Sequence, residues 1–271
     1  MCGLFLLVDK HLFCAKISAM KSLTQGSADR TAPAAKPSYK RIILKLTGEA
    51  FSGTGELLDI GAVEFIAREI KAAHALGVEI AVVVGGGNIV RGATLAKSGR
   101  VERITADQMG MLATTINALL LGSLLEELGV PTRVQTAIEM KQIAEPFIRK
   151  RAIKHLEAGR VVIFSCGTGN PHFSTDSAAV LRASEIKADA ILKGTKVEGI
   201  YTDDPLKNKQ ARLIPTISYD EAFQKRLRFM DASAIGFAME NYPRPLHVFN
   251  IFTKGNLARV VEGDPVGSVI R

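Results

Sequence analysis

The chain has 271 residues, of which 47% are hydrophobic and 23% are charged, so disorder over most of its length is excluded. No apolar run approaches the roughly eighteen residues that span a bilayer, which argues against a membrane partner. The three cysteines fit no disulfide framework, which favours a reducing compartment, the cytoplasm. A net charge of +8 indicates an anionic partner, either a nucleic acid or a phosphorylated small molecule.

Residues 1–38 differ in composition from the rest of the chain. The first twenty mix apolar and basic residues, and Asp9 ends an apolar run that is too short for a secretory signal. Residues 21–38 are rich in Ser, Thr, Ala and Pro, which predicts a disordered leader. Three origins stay open: a start set too early with Met20 as the true one, an organellar transit segment, or a genuine tail. We expect a single domain over residues 39–271.

Strand and helix patterns alternate from Tyr39 onward. Short apolar runs predict buried strands at 42–46, 78–84, 161–164, 190–192 and 246–249. Longer periodic segments predict helices at 59–77, with Asp59 as N-cap and Gly77 as the closing residue, at 107–129 and at 176–187. The apolar face of the second helix carries Met111, Leu112, Ile116, Leu119 and Leu120. This alternation predicts a three-layer α/β/α sandwich with a mainly parallel central sheet.

Two predicted strands end in residues suited to phosphate. Lys45 lies in an apolar strand that runs into Thr47 and Gly48. It either sits on an edge strand in solvent or directs a buried ammonium toward phosphates, with Gly48 bringing backbone N–H groups to the same anion. The glycine loop, residues 85–88, follows the next strand, and Arg91 supplies a forked cation nearby. Close passage of the backbone against a ligand explains three glycines better than a plain turn does.

Two further strand ends complete the pattern. The helix-entry loop, residues 167–175, precedes a helix beginning near Asp176, and backbone N–H groups at a helix N-terminus favour an anion. Asp176 is either an N-cap or a carboxylate that orients cations or holds Mg²⁺. Lys193 follows another apolar strand, with Tyr201 and the Asp204-Pro205 turn beyond it as a rim for a nucleotide or as an ordinary loop. The carboxyl ends of parallel strands are where open α/β sheets bind ligands.

Several other chemistries lack their sequence signatures. The chain has no GxxxxGK[ST] loop, no GxGxxG fingerprint and no GxSxG elbow. Its five histidines show no metal-ligand spacing, so no direct metal ligands are predicted. We interpret Cys166 as a packing residue.

Together the motifs resemble the bacterial UMP kinase family of the amino acid kinase superfamily, over roughly residues 39–271. The resemblance rests on the stretches at 45–50, 85–92, 107–114, 167–176, 194–205, 230–231 and 244–250. It implies phosphoryl transfer from ATP to UMP with Mg²⁺, giving ADP and UDP for pyrimidine synthesis. It also implies a homohexamer with GTP as activator and UTP as inhibitor. Thr47 stands where serine is usual but keeps the hydroxyl.

The same resemblance assigns site residues by motif position. Those implied for ATP are Lys45, Leu46, Thr47, Gly48, Gly87, Arg91, Thr195, Tyr201 and Asp204. Those implied for UMP are Gly86, Asp107, Thr168, Gly169, Asn170, Pro171, His172, Phe173, Ser174 and Thr175. The catalytic set is Lys45, Lys193, Asp176 and Asp231, in which the lysines neutralise charge and the carboxylates orient them or bind metal through water. The regulatory segment is Gly53, Thr54, Gly55, Glu56, Leu57 and Leu58.

Two other functions compete with this one. A relative that phosphorylates a carboxylate, such as acetylglutamate, glutamate or aspartate kinase, would share the fold, but the Gly-Asn-Pro-x-Phe-x-Thr-Asp stretch favours a nucleotide acceptor. A nucleic-acid-binding protein would suit the positive charge. However, the chain has no basic run of five residues and no aromatic-rich RNA motif, so nucleic acid is not expected as the primary partner.

Overall fold

A mostly parallel sheet of nine strands runs through the part of the chain that the computed structural model describes, residues 37–53, 56–205, 207–225, 227 and 229–271. The leader prediction for residues 1–36 and the regulatory predictions for Thr54 and Gly55 lie outside these residues. The strands are β1 Arg41–Leu46, β2 Glu79–Val84, β3 Thr132–Thr136, β4 Glu145–Pro146, β5 Val161–Ser165, β6 Ala190–Thr195, β7 Thr216–Ile217, β8 Leu246–Asn250 and β9 Ser268–Ile270.

The strand order in the sheet is β4-β3-β5-β2-β1-β6-β8-β9-β7, and only the β8–β9 pair is antiparallel. In register, Lys45 of β1 lies beside Val83 of β2 on one side and Lys193 of β6 on the other. The central strands β1 and β5 are buried along their whole length, and β2 and β6 at all but one end residue, because helices cover both faces. The two lysines therefore share one level near the carboxyl ends of neighbouring strands.

Helices pack on both faces and produce two hydrophobic cores, one on each side of the sheet. They are α1 Ile60–His74, α2 Gly92–Ala96, α3 Arg103–Glu127, α4 Arg149–Glu157, α5 Thr175–Ile186, α6 Tyr219–Gln224, α7 Ala232–Asn241 and α8 Asn256–Glu262. The mainly parallel, three-layer architecture predicted from the sequence is confirmed.

The first predicted helix is capped as expected. The Asp59 side chain accepts a hydrogen bond from the Ala62 N–H at 3.0 Å. Gly77, just beyond the helix, has a φ of +82°, a conformation that glycine adopts without the strain other residues incur. Local sequence signals therefore set both ends of α1.

The long helix α3 differs from its prediction in two ways. It begins at Arg103, four residues before the predicted start at Asp107. Of its predicted apolar face, only Met111 is buried, whereas Leu112, Ile116 and Leu119 are exposed. The side turned to the sheet instead carries small residues such as Ala113, Ala118 and Gly122. Small side chains allow a helix to lie close to a sheet. Leu121 and Leu125 fill the core beside them, whereas Leu112, Ile116 and Leu119 face outward.

Among the described residues, α3 is also the one helix long and apolar enough to cross a membrane. Half of its most apolar stretch is buried within the fold. A core helix of a water-soluble enzyme meets the same criteria, so this is weak support for a membrane span.

His247 lies on β8, where its Nε2 atom is 2.8 Å from the hydroxyl of Tyr39. Burial lowers the pKa of His247 to about 4. The ring is therefore neutral at physiological pH.

We predict that this histidine makes the fold sensitive to mild acid. The unfolded chain takes up the proton near pH 6.5, whereas the folded chain does so only near pH 4. Stability is thus lost as the pH falls through this window, by about 2 kcal/mol between pH 7 and pH 5. Denaturant titrations of wild type and His247→Gln at both pH values would measure it. An equal pH dependence in the two proteins would contradict the prediction.

Candidate active site

One buried carboxylate joins two buried lysines at the carboxyl ends of the central strands. The Lys45 Nζ atom lies 2.6 Å from Asp176 Oδ1, as an ion pair outside hydrogen-bond angles. The Lys193 Nζ atom donates to Asp176 Oδ2 at 2.8 Å. Lys193 also contacts the carbonyl oxygen of Phe229. We call these three residues, Lys45, Asp176 and Lys193, the lysine cluster. Because Lys45 is only 5% exposed, the alternative that it lies in solvent on an edge strand is excluded.

Burial and the neighbouring charges shift the pKa values of Asp176 and Lys193. Burial alone would raise the pKa of Asp176, but the ammonium groups of Lys45 and Lys193 outweigh burial and hold that pKa below its ordinary value. Burial, assisted by the charge of Lys45, lowers the pKa of Lys193 to about 8. Within the lysine cluster, two cations thus share one anion in a poorly solvated place. The carboxylate of Asp231 adds a second negative charge near Lys193.

Close backbone packing requires two of the three glycines in the glycine loop. A Cβ atom on Gly85 would lie 2.6 Å from the nitrogen of Gly48, and one on Gly86 would lie 2.7 Å from the carbonyl oxygen of Gly110. Gly87 has more room, since its nearest neighbour is Arg91 Cγ at 3.6 Å. The structure therefore corrects the expectation that a ligand alone explains all three glycines.

Thr47 and Gly48 lie against the glycine loop. A Cβ atom on Gly48 would lie 2.4 Å from the nitrogen of Gly87, so the two loops pass in direct contact. Leu46 is fully buried and its carbonyl accepts from the Gly85 N–H at 2.8 Å, so its side chain offers no surface to a ligand. The backbone nitrogen of Gly87 therefore lies beside Gly48, as an anion site formed by N–H groups of both loops would need.

Arg91 is tied to both of these loops. Its Nε atom donates to the carbonyl of Gly87 at 3.2 Å, and its Nη2 atom contacts the carboxylate of Glu49. Its side chain is 57% exposed. A forked cation is therefore held at the mouth of the glycine loop, where it can reach an incoming anion.

The helix-entry loop is held by a network of short polar contacts. The nitrogen of His172, whose φ is +72°, donates to Asp107 Oδ2 at 2.9 Å. Asp107 is in turn paired with Arg103 at 2.8 Å. The sequence-predicted residues Asp107 and His172 are thereby brought together, and Arg103, which sequence reasoning missed, orients the carboxylate.

Ser174, rather than Asp176, is the N-cap of α5. Its hydroxyl oxygen accepts from the backbone N–H groups of Asp176 and Ser177, so those donors are already engaged. The same hydroxyl contacts the carboxylate of Asp231. Asp231 caps α7 by accepting from the Ala234 N–H at 2.8 Å. The N-termini of two helices are therefore joined beside Lys193.

Two cavities flank the lysine cluster. The first, of about 270 Å³, lies between the glycine loop and the helix-entry loop. It is lined by Gly86, Gly87, Val90, Gly92, Asp107, Gly110, Met111, Thr114, Cys166, Gly167, Thr168, Asn170, Phe173, Ser174 and Thr175. Gly169, Pro171 and His172 are in the loop but outside this lining. Phe173 is 59% exposed and presents an aromatic ring to the cavity.

The second cavity, of about 760 Å³, lies beyond β6 and contains the predicted residues Thr195, Tyr201 and Asp204. Lys193 lines this cavity, and Thr175, next to Asp176 in sequence, lines the first one. The lysine cluster therefore lies where the two cavities approach each other. Among the residues of this lining that sequence reasoning missed are Lys207, Lys225, Leu227 and Phe229. The segment of the last three carries no strand or glycine signal.

Asn117 is a further polar residue that sequence reasoning missed. It is fully buried in the middle of α3 and donates to the carbonyl of Gly85 at 2.7 Å. The available signal was the run Thr114-Thr115-Ile116-Asn117, which interrupts an apolar helix with amide and hydroxyl groups.

Within the described residues, no group of three or more His, Cys, Asp or Glu side chains is placed to hold a metal ion.

The comparisons with known proteins agree with this arrangement. A family model described as the amino acid kinase family matches residues 40–250, so the chain belongs to that family. Over 233 residues the chain is 49% identical to a protein of Arabidopsis thaliana named Uridylate kinase PUMPKIN, chloroplastic. That alignment covers 86% of this chain and 68% of the relative.

Solved structures give the same result. The fold matches a UMP kinase from Bacillus anthracis with a TM-score of 0.82 and 39% identity, over 86% of this chain and 96% of the other. It matches a UMP kinase from Ureaplasma parvum with a TM-score of 0.78 and 34% identity, over 85% and 98%. The resemblance seen in the sequence is confirmed.

We predict that Asp176→Asn destabilises the fold in a pH-dependent way. The variant keeps the shape of the side chain but leaves two buried ammonium groups without a counter-charge, which lowers the free energy of unfolding by about 3 kcal/mol. The loss should be larger at pH 6 than at pH 9, because Lys193 sheds its proton as the pH rises. Denaturant titrations would measure it, with the surface variant Asp220→Asn as control. A loss independent of pH would contradict this reading of the lysine cluster.

Proposed function

We propose that the protein is a UMP kinase that transfers the γ-phosphoryl group of ATP to UMP, giving ADP and UDP for pyrimidine nucleotide synthesis. The observation that carries this proposal is the lysine cluster, which lies where two cavities approach each other and has more positive than negative charge. The family membership and the UMP kinase relatives support the choice of reaction. The catalytic domain occupies residues 39–271.

The first cavity receives UMP and the second receives the nucleoside of ATP. Asp107 binds the UMP ribose, and the polar groups and ring of the helix-entry loop bind the base. The phosphates meet at the lysine cluster, beside the backbone nest of Gly48 and Gly87. This division follows from the two linings and from the residues that the family resemblance assigns to each substrate.

Charge neutralisation and alignment account for catalysis in this site. UMP and ATP are both anions, and their phosphates repel each other. Lys45, Lys193 and Arg91 offset that repulsion and stabilise the charge on the transferred group. The acceptor is a phosphate oxygen that is already ionised, so no general base is required. Asp176 positions both ammonium groups, and Asp231 adds a second negative charge near Lys193.

Phosphoryl transfer of this kind uses a divalent cation, and we propose Mg²⁺ carried by the phosphates of ATP. The carboxylates present fit that role better than direct ligation. Both oxygens of Asp176 face lysines, and both oxygens of Asp231 face Ser174 or the Ala234 N–H. When bound, Mg²⁺ would supply further neutralisation of the phosphate charge.

Regulation and assembly belong to the same proposal. We assign GTP as an activator and UTP as an inhibitor, with residues 53–58 as the regulatory segment, on the family resemblance. We assign a homohexamer on that resemblance and on one outward face of α3, which carries Ile104, Met109, Leu112, Ile116 and Leu119. A contiguous apolar face of this kind is typical of a surface that another subunit covers.

The compartment stays a prediction. The cysteine usage favours the cytoplasm, and the chloroplastic relative makes a plastid the alternative, in line with a transit origin for residues 1–38. A fluorescent fusion of the full chain, compared with one beginning at Met20, tests it. Organellar fluorescence that depends on the first nineteen residues would exclude the cytoplasm.

An acceptor panel tests the reaction itself. ADP release from ATP would be measured with UMP, CMP, dUMP and AMP, with acetylglutamate, glutamate and aspartate, and with and without GTP. We expect turnover with UMP far above that with the other acceptors. Turnover with a carboxylate acceptor alone would establish the rival kinase, and a folded protein with no turnover would overturn the proposal. Salt-dependent DNA binding at physiological ionic strength would favour the nucleic-acid rival.

Lys45→Ala should lower kcat by at least about a hundredfold, equivalent to roughly 2.7 kcal/mol of transition-state stabilisation. The reason is that Lys45 is one of two ammonium groups held at the phosphate position. Lys40→Ala is the matched control, since Lys40 lies just before the same strand at its other end and its side chain is 79% exposed. Near-normal turnover in a folded Lys45→Ala protein would remove Lys45 from catalysis.

The assembly prediction uses the outward face of α3. A Leu112→Glu, Ile116→Glu double variant should dissociate the hexamer, because two carboxylates would be buried without partners at the interface. Light scattering would measure the molar mass. Phe223→Glu, which replaces another exposed apolar residue, should leave the assembly intact. An unchanged mass in the double variant would place the interface elsewhere.

A further inference from the structure

Two amide side chains form a closed hydrogen-bonded pair between Asn88, the last residue of the glycine loop, and Asn117 of α3. The Nδ2 atom of Asn117 donates to Asn88 Oδ1 at 2.8 Å and to the carbonyl of Gly85 at 2.7 Å. The Nδ2 atom of Asn88 donates to Asn117 Oδ1 at 3.2 Å and to the carbonyl of Leu57 at 2.8 Å. Each amide therefore uses both of its N–H donors and its oxygen. We call Asn88 and Asn117 the amide pair.

The amide pair connects three backbone segments that are distant in sequence. Through Asn117 it holds the carbonyl of Gly85 at the end of β2, and through Asn88 it holds residues 56–58 by the carbonyl of Leu57. Asn88 also packs against the turn after β1, since a Cβ atom on Gly48 would lie 2.8 Å from Asn88 Oδ1. The two backbones of the proposed phosphate nest, Gly48 and Gly87, thus meet directly above this pair.

The amide of Asn117 and the carbonyl of Gly85 have few alternative hydrogen-bond partners. Asn117 is fully buried and lies inside α3, where an amide that loses its partners cannot turn to water. The carbonyl of Gly85 would lose this donor if Asn117 were replaced by an apolar residue. A fully satisfied buried network fixes one arrangement of the segments it joins. Loss of these hydrogen bonds would therefore change the geometry of the glycine loop.

We propose that Asn88 and Asn117 are positioning residues that align Gly87 with Gly48 for the phosphates of ATP and couple that alignment to residues 56–58. This inference rests on the proposed function for the identity of the ligand. The bond from Asn88 to Leu57 makes the glycine loop respond to any displacement of the proposed regulatory segment. The structural role of the pair depends on the hydrogen bonds alone.

The effect should fall on ATP more than on UMP. The UMP-side residues have further anchors outside the amide pair. Gly86 follows the Gly85 carbonyl that Asn117 holds, but it also packs against the backbone of α3 at Gly110, and Asp107 is paired with Arg103. Neither contact involves the amide pair. Loss of the pair would therefore loosen one substrate site and leave the other in place.

Steady-state kinetics of Asn88→Ala tests the proposal. Asn88 is only half-buried, so this variant should fold. We expect the KM for ATP to rise at least tenfold while the KM for UMP stays within threefold. Asn117→Leu, which removes the buried amide at similar volume, should give the same pattern. Tyr242→Phe is the matched control, because it removes a buried donor to the Ala188 carbonyl at the other end of the sheet. It should change neither KM.

Hydrogen exchange of the nucleotide-free protein gives a readout that does not depend on activity. Peptides covering residues 47–50 and 56–58 and the glycine loop should exchange faster in Asn88→Ala than in wild type, and unchanged in Tyr242→Phe. Equal rises in both KM values, or unchanged exchange in these peptides, would overturn the role of the pair. A wild-type protein without UMP-dependent turnover would instead overturn the proposed function, and the exchange measurement would still decide the structural claim.

Discussion

The arrangement of the site depends on the ion pairs between one buried carboxylate and two buried lysines. Placing Lys45 and Lys193 on neighbouring parallel strands brings two cations to one level, an arrangement that is costly unless an anion lies between them. Asp176 meets that requirement from the first turn of α5. The helix must therefore begin at this point, and the loop before it must bridge from the end of β5. The two cavities flank the place where this happens.

The remaining positive charge is what makes the cluster a site rather than a stabilising network. Burial, assisted by the charge of Lys45, lowers the pKa of Lys193 to about 8. The negative charge of an arriving phosphate complements the ammonium groups of the cluster. The surrounding backbone, at Gly48 and Gly87, adds dipoles whose positions the amide pair controls from behind.

The α3 helix shows how one element serves several purposes. Its small residues face the sheet, Asn117 supports the glycine loop, Asp107 reaches the helix-entry loop, and Leu112 and Ile116 face outward. A helical period of 3.6 residues separates these roles around the axis. Apolar residues occur on more than one side of α3, so apolar periodicity alone did not distinguish its core face from its outer face. The exposed fractions of Leu112 and Ile116, 50% and 46%, became known only from the fold.

The sequence by itself determined the alternation of elements, the cap of α1, the cations at strand ends and the family. These depend on local patterns and on residue type, which a chain carries whether or not it is folded. It did not reveal the outer strands β3, β4, β7 and β9, two at each side of the sheet, because short or half-buried strands have weak periodicity. Only the tertiary structure decided that Asp176 joins two lysines, that Ser174 is the true cap, and that Asn88 and Asn117 form a pair. The Ser174 cap is itself local and reaches the backbone two and three residues on. The other contacts unite residues from 17 to 131 positions apart, by sheet register and helix packing that no local pattern encodes.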